Sequence, residues 1–422
     1  MTQRNIVLVT YDSLRADHCG HLGYERDTTP NLDEMAAEGI SFPEAISPAS
    51  RTNPSMAGTF TGEPMVARDQ VADPSHSRRH LARYGTLAEE LSELGYTTGA
   101  FNPNAYASRH YGFDRGFDHF EDFLFSTDQY QEIFQKHLSD STVYTLLRNF
   151  RNYLRREEAF KTWDRYVDQI EQWATSQSEP FFLWVFSLDT HFPHLSPRKH
   201  RKWSTLFKQY YYNWRCNQLI DDLDPDLSER EVQKIIDIYD DSIRFGDVLL
   251  AELRNRLAGF DPVYIVFGDH GEAFGERDIY GHFYPSLYEE NIHVPLVVSE
   301  SVKCNGDPSQ PISLTQIPNI VKQFTDANTR PQLSTWAIAT DYDGRYDRNL
   351  ITVRTKTAKQ IATWQNGQLT STNTYSMEDV TIEGEPLSDK SELHESLQPV
   401  VQRRYNHESE LCSIQTGVKN IL

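Results

Sequence analysis

The sequence predicts an α/β fold with a large, mostly parallel sheet, and three short apolar runs are the main reason. The runs are rich in β-branched and aromatic residues: 5–10 (NIVLVT), 180–188 (PFFLWVFSL) and 262–267 (PVYIVF). Continuous apolar runs of this length are typical of strands that are buried on both faces, as parallel strands are. Stretches with helical spacing separate the runs, and parallel strands need such crossover connections. We therefore expect a central sheet that is flanked by helices.

Polar clusters follow all three predicted strands. Asp12 comes after the first strand, Asp189 and His191 after the second, and Asp269 and His270 after the third. A lone aspartate after a strand is more often a turn or helix-cap residue than a ligand. In open α/β sheets, however, ligands bind beyond the carboxyl ends of the strands, where residues that are distant in sequence meet. The three clusters together favour one shared site.

The segment 52–62 (TNPSMAGTFTG) predicts a short helix that begins at a candidate nucleophile. Pro54 is tolerated in the first turn, and Gly62 ends the helix. Thr52 then lies at the amino end, where unpaired N–H groups and the helix dipole favour an anion such as a phosphate or sulfate ester. Taken alone, Thr52 reads most simply as a helix cap. A threonine hydroxyl becomes a good nucleophile only with the help of a base or a metal.

Two carboxylates and an imidazole are available to hold such a metal. We predict one divalent ion, bound by Asp12, Thr52, Asp269 and His270. The glycines on both sides of Asp269 and His270 (GDHG) make that pair the least ambiguous ligand signal. A mixed set of oxygens and an imidazole suits Mn²⁺ or Zn²⁺ best, with Mg²⁺ and Ca²⁺ as alternatives.

Several segments, taken in order, resemble the sulfatase family of the alkaline phosphatase superfamily. They cover most of the chain and include NIVLVTYDSLRADHCGHLGY, SRTNPSMAGTFTG, FFLWVFSLDTHFPH and VYIVFGDHGEAFGERDIYGHFYPSLYEENIHVPLVV. The resemblance implies an alkaline-phosphatase-like sandwich, a metal-dependent ester hydrolase, and catalytic roles for His191 and His282. Each imidazole is expected to contact the anion or to protonate the leaving group. Either histidine, taken alone, also suits a structural role.

Two departures from the family pattern bear on the chemistry. Typical sulfatases carry, within C-x-P-x-R, a cysteine that becomes formylglycine, whereas this chain has Thr52 and Met56 at the cysteine and arginine positions. The lysine and histidine that bind sulfate after the next strand are also missing, and Asn102 and Asn104 are the predicted substrate-binding residues there. A threonine nucleophile resembles the phosphodiesterase, nucleotide pyrophosphatase and phosphoglycerol transferase branches. The resemblance therefore favours phosphoryl over sulfuryl chemistry.

The predicted function is metal-dependent hydrolysis of phosphate esters, including diesters, or of related esters, through a covalent intermediate on Thr52. Three alternatives stay open: a sulfuric ester hydrolase that acts without formylglycine, a phosphoryl-type transferase, and a binding homologue without turnover, which the loss of the arginine at Met56 favours. The substrate is expected to be a small-molecule, glycan or lipid ester.

Relatives with two metals need an extra aspartate and two histidines. The candidates for such a set, at a spacing that does not match closely, are Asp189, His191, His194 and His282.

The charge balance excludes one class of partner. The chain has 41 Lys and Arg against 61 Asp and Glu, so its net charge is −20, and a nucleic-acid backbone would be repelled. Such an acidic surface is common in halophilic proteins, and a haloarchaeal cytoplasm is our hypothesis. No run approaches the roughly 20 apolar residues of a membrane helix, and no signal-peptide pattern occurs. We therefore predict a cytoplasmic protein without a membrane span.

A chain of 422 residues predicts a major domain and a smaller one. We place a catalytic domain at 1–330 and a small C-terminal α+β subdomain at 331–422. Aromatic and charged residues at helical spacing predict helical insertions at about 124–178 and 199–240. The elements that we predict in the subdomain are strands at 349–355, 360–364 and 380–382 and a closing helix at 391–406.

Overall fold

We analysed a computed structural model of the protein, which describes residues 3–65, 74–123, 161–221, 227–325, 330–331, 333–378, 383–387 and 392–419. Its strands are β1 (Ile6–Tyr11), β2 (Ile40–Ser41), β3 (Ala45–Ile46), β4 (Thr97–Phe101), β5 (His119–Glu121), β6 (Phe181–Ser187), β7 (Val263–Gly268), β8 (Ala273–Phe274), β9 (Tyr280–Gly281), β10 (Leu296–Val298), β11 (Ile312–Ser313), β12 (Trp336–Asp343), β13 (Arg348–Thr355), β14 (Ala358–Gln365) and β15 (Gln368–Ser376). Its α-helices are α1 (Pro30–Glu38), α2 (Thr52–Thr61), α3 (Ser75–Tyr84), α4 (Leu87–Glu93), α5 (Val167–Ser176), α6 (Leu206–Asp221), α7 (Glu229–Arg256), α8 (Glu289–Ile292), α9 (Ile317–Thr325) and α10 (Glu392–Lys419).

A seven-stranded sheet forms the centre of the main domain, in the order β2-β10-β7-β1-β6-β4-β5. The strands from β7 to β5 run parallel, and β10 is antiparallel to its neighbours. The three predicted strands are β1, β6 and β7, which lie side by side. The carboxyl ends of these strands therefore reach the same edge of the sheet, and the predicted fold class is confirmed.

Both faces of the sheet are covered, which explains why the strand sequences are continuously apolar. Ile6 and Leu8 pack into one core, whereas Val7 and Val9 pack into a second core on the opposite face. All four side chains are fully buried, and burying a side chain of this size stabilises the fold by about 1.5–3 kcal/mol. Trp184 of β6 contacts Phe60 of α2, with ring centroids 4.6 Å apart. This contact helps to fix α2 on the sheet.

The predicted helical insertions are described only in part. Residues 124–160 lie outside the described residues. Beyond them, α5 lies within the first predicted insertion, and α6 with the first half of α7 lies within the second. In the part of the chain that the structure describes, none of the helices is both long and apolar enough to cross a bilayer.

The C-terminal region forms the expected small antiparallel sheet, in the order β12-β13-β14-β15. The strands predicted at 349–355 and 360–364 are β13 and β14, whereas β12 and β15 were not predicted. The strand predicted at 380–382 lies outside the described residues. The closing helix, α10, runs beyond its predicted end and stacks Tyr405 on Trp364 of β14 at 4.4 Å. The placement of the domain boundary near residue 331 stays a prediction.

A buried ionic cluster joins this small sheet to the main domain. The Lys359 ammonium lies 2.8 Å from a carboxylate oxygen of Glu289 in α8 and 2.5 Å from one of Glu383. The Arg354 guanidinium contacts Glu289 at 3.3 Å and Glu44 at 2.6 Å. Burial alone would raise the pKa of Glu289, but the charges of Lys359 and Arg354 lower it to about 2. Glu289 is therefore a buried carboxylate whose charge depends on its cationic partners.

Removing the buried lysine is expected to destabilise the protein strongly. In Lys359→Met, the carboxylates of Glu289 and Glu383 lose the cation that compensates their burial, so the free energy of unfolding should fall by about 3–5 kcal/mol. Lys356→Met is the matched control, because Lys356 is exposed and donates only to the Ser309 hydroxyl among the described contacts. The control should change stability by less than about 0.5 kcal/mol in urea unfolding. Equal losses in the two variants would contradict a stabilising role for the cluster.

Candidate active site

Two buried carboxylates meet where β1 and β7 end. The two strands are neighbours in parallel register, with Tyr11 opposite Gly268, so Asp12 and Asp269 leave the sheet side by side. The backbone N–H of Asp269 donates to the carbonyl of Tyr11 at 3.1 Å. Both aspartates are fully buried. The register of the sheet therefore creates the pair that the sequence predicted from strand ends alone.

Ser13 connects the two carboxylates. Its hydroxyl donates to Asp12 Oδ1 at 2.9 Å, and its backbone N–H donates to Asp269 Oδ1 at 3.0 Å. Ser13 has a φ of +59°, in the left-handed region that a residue with a side chain seldom adopts. Backbone strain of this kind persists where the surrounding contacts enforce it, and it is common at functional sites. Sequence reasoning gave Ser13 no role of its own.

The imidazole of His270 completes the group. Its Nδ1 lies 2.8 Å from the carbonyl oxygen of Gly271 and therefore donates to it, which leaves Nε2 with its lone pair. This Nε2 lies 3.7 Å from Asp12 Oδ1 and 3.6 Å from Asp269 Oδ2. Burial, with a further contribution from His282, lowers the pKa of His270 to about 4. The imidazole is thus neutral at pH 7, which is the form that binds metals.

These three side chains fit a divalent cation. One ligand atom from each of Asp12, Asp269 and His270 lies within 4.8 Å of the other two, and within the described residues this is the one group of acidic, histidine or cysteine side chains with that property. Asp269 Oδ2 is buried and has no hydrogen-bond partner among them. Burial and the charge of Asp12 raise the pKa of Asp269 well above its usual value. A cation would relieve the repulsion and engage the unpaired oxygen.

Thr52 lies at the start of α2, beside this group. Its Oγ1 is 3.2 Å from His270 Nε2, and the residue is 5% exposed. One turn later, Ser55 donates its hydroxyl to the carbonyl of Asp269 at 2.6 Å, which ties α2 to the loop after β7. The helix ends at Gly62 with a left-handed φ of +76°. The predicted helix, from Thr52 to its glycine end, is therefore present, and the structure brings Thr52 to the predicted metal residues.

His282 and His191 also reach the site. The ring centroid of His282 is 4.5 Å from that of His270 and 5.0 Å from that of His191. His282 Nδ1 lies 2.8 Å from Glu272 Oε2. Burial alone would lower the pKa of His282, but the charge and hydrogen bond of Glu272 outweigh it and raise that pKa. Burial alone would raise the pKa of Glu272, but the charge and hydrogen bond of His282 lower it to about 2. The raised pKa of His282 and the lowered pKa of Glu272 favour the charged forms of both partners.

Glu272 is a further residue of the candidate site that sequence reasoning missed. It follows His270 by two positions in the segment GDHGE, and it is 4% exposed. A buried glutamate next to predicted ligands was the available signal, because glutamate is seldom buried without a partner. The partner could not be chosen from sequence, since His282 is ten residues away beyond β8 and β9.

The two predicted substrate-binding asparagines lie in the loop after β4. Asn102 donates to the carbonyl of Ala107 and accepts from the backbone N–H of Asn104 at 2.8 Å, so its amide shapes the loop. The Asn104 amide donates to Asp12 Oδ2 at 2.5 Å. Asn104 thus borders a predicted metal ligand, and the substrate-binding role of both residues stays a prediction. The candidate second-metal residues Asp189, His191, His194 and His282 form no group of ligand atoms comparable to the first among the described residues.

The carboxylate pair makes metal binding measurable through stability. Adding Mn²⁺ or Zn²⁺ should raise the Tm of the wild type, a chelator should reverse this, and Asp269→Asn should lose the gain. Without metal, stability should fall as the pH rises above about 4, because the folded protein binds the Asp269 proton more tightly than the unfolded chain. Metal-free Asp269→Asn should therefore be at least as stable as metal-free wild type at pH 7.

The control for this experiment is Asp241→Asn, which removes a buried carboxylate that accepts from Lys202 and Ser204 away from the group. This variant should keep the metal-dependent rise in Tm. A wild type whose Tm is indifferent to both metals and to the chelator would contradict the assignment of a metal site.

Comparisons with known proteins identify the family of the chain. A family model described as Sulfatase matches residues 4–324. The chain is 34% identical to arylsulfatase A of Bos taurus over 122 residues, which are 26% of this chain and 24% of that protein. It is 23% identical to the ulvan-active sulfatase of Formosa agariphila over 320 residues, which are 70% of this chain and 56% of that protein. The matched regions thus cover less than two thirds of either relative.

A solved structure extends the likeness to the whole fold. The crystal structure of the phosphonate monoester hydrolase of Agrobacterium radiobacter superposes with a TM-score of 0.65 at 16% identity, covering 98% of this chain and 96% of that chain. This similarity confirms the alkaline-phosphatase-like architecture, and the sequence matches support the predicted class of ester hydrolases. Because the family model covers well over half of the 422 residues, the chain belongs to the sulfatase family.

Proposed function

We propose that this protein is a metal-dependent hydrolase of phosphate diesters or related phosphorus esters, with Thr52 as its nucleophile. The observation that carries the proposal is the position of the Thr52 hydroxyl, at the amino end of α2 and 3.2 Å from His270 Nε2. That nitrogen belongs to the same group as Asp12 and Asp269. A nucleophile, a candidate metal group and an anion-binding helix end therefore share one buried point.

The choice of phosphorus over sulfur rests on the nucleophile. The resemblance implies that typical members of the family depend on formylglycine. A threonine cannot be converted into formylglycine. A threonine oxygen can attack phosphorus directly and be released by water in a second step. The name of the structurally similar Agrobacterium radiobacter enzyme, a phosphonate monoester hydrolase, shows that this architecture occurs with phosphorus esters. It supports the proposal through the fold alone.

The chain's own residues divide the work of binding and orientation. Asp12, Asp269 and His270 would hold the divalent ion, which would lower the pKa of the Thr52 hydroxyl and neutralise charge on the substrate. The first-turn N–H groups of α2 have no partner within the helix and favour the non-bridging oxygens of an anionic ester. Burial of Thr52 and of the ligands keeps bulk water away from these groups, which strengthens each electrostatic contact.

Proton transfer falls to His282. In the first step, Thr52 Oγ1 loses its proton to solvent and forms a bond to phosphorus, while the bond to the leaving oxygen breaks. The imidazolium of His282, held by Glu272, donates the proton that the leaving oxygen needs. In the second step, water attacks phosphorus and its proton returns to His282, while the bond to Thr52 breaks and Thr52 Oγ1 takes back a proton from solvent. One group thus acts as acid and then as base, and its raised pKa suits the first role.

Removing the nucleophile tests the proposal most directly. Thr52→Ala should lower kcat for the ester that the wild type prefers by at least about 10³-fold, because covalent catalysis is lost. Bis-aryl phosphate, aryl phosphate, aryl phosphonate and aryl sulfate should be compared at high salt with Mn²⁺ or Zn²⁺. Thr61→Ala, at the opposite end of α2, is the control and should keep its activity. Full activity of metal-loaded Thr52→Ala would disprove the mechanism, and dominant aryl sulfate turnover would disprove the preference for phosphorus.

The role of His282 predicts a dependence on the leaving group. In His282→Gln, turnover of esters with an alkyl leaving group should fall by about 10²–10⁴-fold, because an alkoxide needs a proton as it leaves. Release of 4-nitrophenolate in the first turnover, before the second step needs His282 as a base, should fall much less, since that leaving group is stable as an anion. His21→Gln should leave both rates unchanged, because His21 pairs with Asp33 away from the site. Equal losses for the two kinds of ester would assign His282 to binding rather than to acid catalysis.

A further inference from the structure

The segment directly before the nucleophile is held by the C-terminal sheet. Asp341 of β12 accepts the hydroxyl of Ser50 at 2.5 Å and the backbone N–H of Ser50 at 3.3 Å. Its other carboxylate oxygen accepts from the guanidinium of Arg51, which also donates to the carbonyl of Tyr342 at 3.0 Å. The side chain of Asp341 is fully buried. One carboxylate thus binds both residues that precede Thr52.

Neighbouring contacts make this segment rigid. The backbone N–H of Thr340 donates to the carbonyl of Pro48 at 2.9 Å, so β12 also holds the chain two residues before Ser50. The backbone N–H of Ser286 donates to the Ser50 hydroxyl at 3.2 Å. After Thr52, the hydroxyl of Ser55 donates to the carbonyl of Asp269. Thr52 is therefore fixed between the C-terminal sheet and the loop that carries the predicted ligands.

A second carboxylate on the same strand behaves differently. Asp343 follows Asp341 by two positions, so both side chains point to the same face of β12. Asp343 is 4% exposed, nearly as buried as Asp341, but it pairs with Arg348 at 2.6 Å and with Arg345 at 3.5 Å, within the C-terminal sheet. Both buried carboxylates need a compensating partner, so the two aspartates differ in which residues they bind. Only Asp341 directs its bonds to the nucleophile segment.

We propose that Asp341 is a positioning residue for Thr52. By holding Ser50 and Arg51, it fixes the extended backbone of Arg51 (φ −144°, ψ 152°) from which α2 starts. This start sets the direction of the first helical side chain, and so the position of the Thr52 hydroxyl beside His270 Nε2. The inference rests on the proposed function for Thr52. It makes the C-terminal sheet part of the catalytic apparatus, although that sheet contributes none of the predicted ligands.

The test compares Asp341→Asn with its matched control, Asp343→Asn, in the full-length protein with Mn²⁺. Asn keeps the size of the side chain but removes the charge that binds Arg51. Because a misplacement of about 1 Å can lower a rate by about 10²-fold, kcat of Asp341→Asn should fall by about 10–100-fold. KM for the ester and the Kd for Mn²⁺ should change by less than about threefold, because the group formed by Asp12, Asp269 and His270 is not altered. Asp343→Asn should keep kcat within about twofold at a comparable loss of Tm.

A double variant shows whether Asp341 acts through Ser50. If it does, Ser50→Ala with Asp341→Asn should be no slower than the slower single variant, because both changes break the same contact. If the losses of kcat in the two single variants multiplied in the double variant, Asp341 would not act through Ser50. The positioning role itself would be overturned if Asp341→Asn kept its kcat, if its loss matched that of Asp343→Asn, or if its Mn²⁺ binding failed in parallel.

A structural readout separates this inference from the proposed function. Crystal structures of both variants should show the Thr52 hydroxyl displaced from His270 Nε2 in Asp341→Asn alone. An unchanged position would overturn the inference even for a protein that turned over no ester. Conversely, a Thr52→Ala variant with full activity would remove the proposed nucleophile, whatever the effect of Asp341→Asn.

Discussion

The site depends on two carboxylates that the sheet forces together in the interior. Asp12 and Asp269 follow adjacent parallel strands in register, and neither can move away without disrupting β1 or β7. Burial and the charge of Asp12 raise the pKa of Asp269, and its Oδ2 has no hydrogen-bond partner among the described residues. Isolated buried charge is costly, so such a pair persists where a cation compensates it or where the fold enforces it. Here the sheet enforces the pair, and the neutral imidazole of His270 offers a third ligand.

The groups around this pair act on it from three directions. Ser13 bridges the carboxylates, Asn104 donates to Asp12, and Ser55 ties α2 to Asp269. These bonds connect segments that are widely separated along the chain. Because each donor is itself buried or fixed in a loop, the geometry of the group is largely preformed. A preformed arrangement lowers the reorganisation that binding and reaction require.

Charge also joins the C-terminal sheet to the rest of the fold. Lys359 and Arg354 bind Glu289 in the interior, and Asp341 of β12 binds Arg51. Glu289 begins α8, only seven positions after His282, so the cluster also anchors the loop that carries the proposed acid. Exchanging such pairs for apolar residues is often neutral for stability, so their value lies in fixing one arrangement. The small sheet thereby acts as a support for the catalytic segments.

The sequence by itself determined the strands that form the floor of the site. The runs at β1, β6 and β7 are apolar throughout because both faces of the sheet are covered, and this signal is local. Thr52, Asp12, Asp269 and His270 were chosen from strand ends and from a helix start, and the structure brings them together.

The sequence did not reveal β12 and β15, whose mixed polar residues suit a strand only in the context of the neighbouring strands. Nor did it reveal the partners of Glu272 and Asp341. Those pairings join residues brought together by the path of the chain, up to about 290 positions apart for Asp341 and Arg51, and no local pattern encodes such a meeting. Only the tertiary structure decides them, because a buried charge takes the partner that packing places beside it.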